Sequence, residues 1–185
     1  MGLLALGVVI LVGIHLVPSF PALRQRLVQR LGENPYKGIF SIIGFVGLVL
    51  IIVGKHKAEF VPVWQPPVWG KDVAPLIMPA AFVLLAAAYL PTNIKRFTRH
   101  PMLWGITLWA ATHILANGDL ASLMLFGGLG AFSLFAMWSA NRRGAVRSQT
   151  RYPPKKDIIG IAAGILVYGI FLFLHPYLFG VPAVS

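Results

Sequence analysis

The residues of this sequence best equipped for chemistry are five histidines, His15, His56, His100, His113 and His175. Imidazole titrates near neutrality, passes protons and binds metals through either ring nitrogen. His15, His113 and His175 fall inside long apolar stretches, where each ring needs a hydrogen-bond partner, a cavity or a ligand. His56, in GKHKAEF, stands beside two lysines and reads as solvated. His100 follows Arg99 at the mouth of RHPMLWGITLWAATHILANGDL, where the pair is placed to meet lipid headgroups or the ends of neighbouring helices. The chain has no cysteine, so thiolate metal sites, disulfides and thiol nucleophiles are excluded and any metal is held by nitrogen or oxygen.

Two readings of the three intramembrane histidines stand side by side. One is hydrogen bonding between helices. The other is iron: neutral imidazole is a good ligand, and haem is large and apolar enough for a pocket between membrane helices. At about 1.5 Å per residue, His113 lies roughly 18–20 Å from the basic start of its helix, and His15 about 10–13 Å from the same surface. Tilted helices or an oblique porphyrin absorb that mismatch. His175 is the rival ligand, about 25 Å along its own helix. It precedes Pro176, where the helix is expected to loosen. Gly105, Trp109, His113 and Asn117 recur every four residues as a drifting stripe; a small residue, a flat ring and a ligand suit a cofactor, and plain packing accounts for the same spacing.

The carboxylates offer little catalysis. Asp119 reads as a cap on the helix that follows the NGD turn, and no two acids are spaced as a general acid and base. There is no phosphate-cradling glycine loop and no Ser, His and Asp signature, which argues against hydrolysis.

The elements that must position these residues are membrane helices. The chain is 57% hydrophobic and 11% charged over 185 residues, with a mean hydropathy of +0.77. That composition predicts an all-α polytopic bundle forming one transmembrane domain over residues 1–185. Six spans are expected, at 2–20, 37–54, 73–91, 101–117, 119–139 and 158–180; the first reads as a retained helix and not a signal peptide. The partner is a lipid bilayer, not nucleic acid, despite a net charge of +11. Thirteen of the 16 Lys and Arg fall, counting Lys37, in the first, third and fifth connections. The positive-inside rule makes that side cytoplasmic and directs both termini outward.

The second connection, EFVPVWQPPVWGKD, is too rich in proline for a long helix and is expected to lie flat as a lid, with Trp64 and Trp69 at the outer interface. Close helix crossings are expected at Gly38, Ser41, Gly44 and Gly47, at Gly127, Gly128 and Gly130, and at Gly160 and Gly164.

The run RHPMLWGITLWAATHILANGDLASLMLFGGLGAFSLFA, with the earlier GIHLVPSFPALRQRLVQRLGENPYKGIFSI, resembles the NnrU family of bacterial membrane proteins. The resemblance implies a role in denitrification, in producing active nitrite and nitric oxide reductases, with denitrification proteins as partners. That family looks related to 15-cis-zeta-carotene isomerase, an integral membrane enzyme that holds haem b with histidines. The relationship implies that His15 and His113 occupy the iron-ligating positions, and that a small apolar polyene is the alternative substrate. A cysteine proposed as an exchangeable ligand in the isomerase stands three residues before the second histidine; here that position is Ala110. RHPMLWG also looks like the RHPxYxG segment of S-adenosylmethionine-dependent membrane methyltransferases, with Arg99 and His100 as the gripping residues. Leu103 replaces its Tyr, and residues 140–157 lack the paired glutamates that follow in those enzymes.

Overall fold

In a computed structural model that describes residues 1–183, the chain is all-helical. Helix α1 (Gly2–Leu16) continues through a 3₁₀ turn, Val17–Ser19. Then come α2 (Pro21–Leu31), α3 (Glu33–His56), α4 (Gly70–Tyr89), the single turn α5 (Ile94–Phe97) and α6 (Pro101–Ala116). The fifth span is composite: α7 (Leu120–Ser122), a π-helical turn (Leu123–Gly127) and α8 (Gly128–Arg142) run as one rod of 23 residues. Helix α9 (Pro154–Phe179) closes the bundle.

Five of these rods are long and apolar enough to cross a bilayer. The sixth expected span, α6, has 16 residues, about 24 Å at 1.5 Å per residue, short of a hydrocarbon core of about 30 Å. It packs between α4 and α8, so protein shields much of it from lipid. The main contacts run α3 to α1, α1 to α8, α8 to α6, α6 to α4 and α4 to α9, so the spans stand in a row. Such a row leaves much apolar surface outside, as at Ile42, Phe45, Leu166 and Phe173. The buried core is correspondingly small: Leu4, Ile51, Ala110, Ala121, Leu125 and Phe126.

The tightest crossing joins α1 to α3. A Cβ on Gly47 would stand 2.9 Å from the Leu11 amide nitrogen, and one on Gly7 would stand 2.6 Å from that of Ile51. Gly54 meets the Leu4 backbone in the same way, so three glycines let two backbones touch. Gly164 serves likewise against Val83 of α4. Gly38, expected at a crossing, faces nothing within 4 Å.

The connections pair by side. The second lies along the corner after α6: the Val63 amide donates to Gly118 O at 2.8 Å and the Leu120 amide to Val61 O at 2.8 Å. The fifth meets the first and the third: Arg143 donates to Ser19 O at 3.0 Å, and the Ser148 amide to Lys95 O at 3.1 Å. Odd connections therefore lie at one end and even ones at the other, as six alternating crossings require.

The first connection is itself helical: α2 carries Leu23, Leu27 and Leu31 at four-residue spacing among Arg24, Arg26 and Arg30. That is the pattern of a helix lying on a membrane surface. Pro176 does not loosen α9, which continues to Phe179 and ends where Gly180 turns left-handed at φ +74°. Past that point the helix has only one further turn to hold, and the Gly180 amide closes it on Pro176 O at 2.9 Å.

Candidate functional site

His15 and His113 share one local device. In an α-helix a side chain leans toward the N-terminus, over the carbonyl four residues back. Nδ1 of His15 lies 2.8 Å from Leu11 O, and Nδ1 of His113 lies 2.8 Å from Trp109 O. A carbonyl oxygen only accepts, so in each ring Nδ1 carries the proton and donates it. Nε2 is then the lone-pair nitrogen, and no hydrogen bond to it is found among the described residues. A ring fixed by Nδ1–H to a backbone carbonyl, with Nε2 free, is the arrangement that metal-binding histidines use.

Each ring sits among aromatics. His113 packs on Phe126 at 4.5 Å between centroids and on Trp109 at 5.3 Å, while Trp109 meets Phe126 edge-on at 4.8 Å. Phe126 belongs to the π-helical turn, whose wider winding presents it to both. His15 lies 5.0 Å from Phe40 and 6.2 Å from Phe132, both edge-on. Gly44 leaves room for it: a Cβ there would stand 3.5 Å from the imidazole Cε1. Both histidines thus rest on the fifth span, from different neighbouring helices and at residues six positions apart, about 9 Å along the axis. The offset agrees with the depths read from the sequence. No hydrogen bond or ring contact joins the two imidazoles among the described residues.

The four-residue stripe divides. Gly105 is taken up by the crossing with α4, where a Cβ would stand 2.9 Å from Ala81 O. Trp109 and His113 face the fifth span. Asn117 closes α6, its amide donating to His113 O at 2.8 Å while its own carbonyl accepts from Trp64 Nε1 at 3.2 Å. His175 is turned elsewhere: its Nδ1 lies 2.7 Å from Val181 O, six residues ahead and not four back, and its ring lies against Phe179 at the exposed end of α9, so it shares the free Nε2 but not the position between helices. His56 is exposed at the end of α3.

Beside Phe40, a cavity of about 180 Å³ is lined by Arg24, Tyr36 and Lys37. Tyr36 is buried with its hydroxyl unpartnered, and Arg24 lies 5.8 Å over its ring. Lys37 is paired with Glu33 at 2.7 Å, so Arg24 and the Tyr36 hydroxyl, one aromatic ring away from His15, are the groups there without a carboxylate partner among the described residues.

At the opposite end from this cavity, Lys55 donates to Asp119 Oδ1 at 3.1 Å and to Ser122 Oγ at 2.7 Å, and Asp119 caps α7 through the Ser122 amide at 2.9 Å. Burial pushes the Asp119 carboxyl up, but bonds from the Ser122 hydroxyl and amide and the Lys55 ammonium outweigh it and hold the group below its ordinary value. Arg99 and His100 both reach Asn141 Oδ1, each at 3.0 Å. One residue escaped the sequence reading altogether. Asn93 bonds both carboxylate oxygens of Asp157 and pairs twice with the Tyr152 backbone, latching the third connection to the fifth.

A family profile described as NnrU protein matches residues 3–183. Among curated proteins, the chain is 27% identical over 142 residues to the chloroplastic 15-cis-zeta-carotene isomerase of Zea mays, covering 66% of this chain and 39% of that protein. The Arabidopsis thaliana enzyme of the same name is 27% identical over 146 residues, covering 68% and 40%. The chain spans about two fifths of the length of these relatives. No solved structure matches.

Proposed function

Since the chain belongs to the NnrU family, we propose that it is a haem b protein of a bacterial inner membrane that supports denitrification, with His15 and His113 as the iron ligands. The observation that carries this reading is the shared ring geometry: two intramembrane imidazoles, each with Nδ1–H fixed on the carbonyl four residues back and Nε2 free. Bound there, haem would supply a one-electron centre within the bilayer. The chain's own part is to orient. Leu11 O and Trp109 O set the tautomer, Phe126 and Trp109 fix the plane of His113, and Gly44 leaves space at His15. Arg24 and the Tyr36 hydroxyl would take the propionates. In the same reading the face carrying 13 of the 16 Lys and Arg is cytoplasmic and both ends of the chain are periplasmic.

The test is the haem-to-protein ratio of purified variants. His15→Ala and His113→Ala should each lose most of the haem that the parent retains, and His56→Ala should lose none. Full retention in His15→Ala with loss in His175→Ala would replace one ligand.

The likeness to two carotene isomerases favours a second reading, a haem-dependent cis–trans isomerase of a long polyene. Ala110 is buried against Gly130, so no thiol is available beside His113 for ligand exchange. A deletion strain with an unchanged carotenoid profile but impaired nitrite and nitric oxide reduction separates the readings in favour of the first.

A further inference from the structure

Away from both histidines, a cavity of about 520 Å³ opens at the end of the bundle that carries the basic connections. Lys95, Arg99 and Arg147 line it, and none has a carboxylate within ion-pair distance among the described residues. Their convergence is built, not incidental. Arg147 comes from a connection tied down next door, where the Ser148 amide donates to Lys95 O at 3.1 Å and Asn93 holds Tyr152 and Asp157. Arg99 is braced on Asn141 through Nη1, which leaves its other N–H groups free. The first turn of α6 adds donors. Its cap, His100, makes no side-chain capping bond, and Met102 and Leu103, the first residues after Pro101 with amides to offer, both line the cavity. Three unpaired cations and the positive end of a 16-residue helix on one cavity call for a multiply charged anion with several acceptor oxygens.

The rest of the wall is apolar. Ala88, Leu103, Met102 and an exposed Val146 border the charged part, at the ends of two membrane spans. A soluble anion has no use for that surface, whereas an acyl or prenyl chain does. We propose that this cavity binds the phosphoryl group of an anionic amphiphile, with Lys95, Arg99, Arg147 and the α6 N-terminus on the phosphate and the chain leaving along Leu103 and Val146. The site is separate from the haem reading, since neither His15 nor His113 lines it.

The full-length protein in phosphatidylcholine nanodiscs doped with phosphatidylglycerol provides the test, with retained lipid counted by native mass spectrometry. The parent should keep phosphatidylglycerol selectively. Arg99→Gln with Arg147→Gln should cut retention at least about fivefold, an effect of about 1 kcal/mol by the tenfold-per-1.4 rule. Arg99→Lys with Arg147→Lys should restore most of it. Arg26→Gln with Arg30→Gln removes the same charge from the same side outside the cavity and should change little. Equal loss in the two glutamine pairs would overturn the proposal by showing diffuse attraction to a basic surface. Binding of inorganic pyrophosphate in undoped nanodiscs, with no retained lipid, would overturn the amphiphile. Circular dichroism of every variant checks that the helices persist.

Discussion

Asp119 shows how much one side chain settles at the end of the bundle away from the basic connections. Its carboxylate caps the fifth span through the Ser122 amide and receives Lys55 from the end of α3, joining the two spans by a polar bond beside the apolar cluster of Ile51, Ala121 and Leu125. Asp119→Ala removes the cap and leaves Lys55 without its anion, so a loss of about 1–2 kcal/mol is expected, read as a lower thermal midpoint in detergent. The pH dependence follows from the direction of the shift. The folded carboxyl is held below its ordinary value of 3.8, so its contribution is complete above that value and disappears as pH falls through the depressed one. The parent should therefore be level between pH 7 and about 5 and weaken below about 4, and Asp119→Asn should flatten that last step. A midpoint in Asp119→Asn that keeps the parent's acid dependence would assign the step to other carboxylates. The capping role was legible in NGD, a turn followed by an apolar run; the Lys55 partner was not, because it stands 64 positions earlier in the chain.

At the scale of elements, hydropathy marked six apolar helices to within a few residues, five of them long enough to cross a bilayer and α6 shorter, because lipid exposure demands apolar side chains. It marked the ends less well, since a helix continues past the apolar run wherever its polar turns reach water, as Glu33 and Lys37 do at the start of α3. Glycine spacing was a weaker guide. Gly47 lies on a backbone contact and Gly38 faces open space, although both sit on the second span, because which face meets a neighbour is decided by the partner helix. The pair yields a sharp contrast. Gly47→Leu should force α1 off α3 and destabilise by about 1–3 kcal/mol, and Gly38→Leu should be near neutral. Thermal midpoints of the two variants in one detergent check this; equal midpoints would mean that the α1 and α3 crossing is looser than described. Surface helix α2 was hidden for a different reason, its arginines masking a four-residue leucine repeat in a segment bounded by proline and glycine.

Over the whole molecule, the row of spans and the pairing of connections by side give an even number of crossings, with the basic connections together. Alkaline phosphatase joined behind α9 should be active, and the same reporter in residues 143–150 inactive. The reverse pattern would invert the protein in its membrane. The histidines themselves were legible as misfits in apolar helices, and their depth offset could be counted. The freeing of Nε2 could not be seen without the rings in place, because a histidine on a helix has several rotamers and only one donates to the carbonyl four residues back. The central claim is that these two nitrogens hold haem iron, and the most direct measurement is the absorption spectrum of the detergent-purified parent, oxidised and then reduced with dithionite. Two imidazole ligands predict a Soret band and, on reduction, a sharp low-spin α band that His113→Ala abolishes or converts to a high-spin spectrum. A parent with no Soret band even after reconstitution with haemin, or a spectrum unchanged in both His15→Ala and His113→Ala, would contradict it.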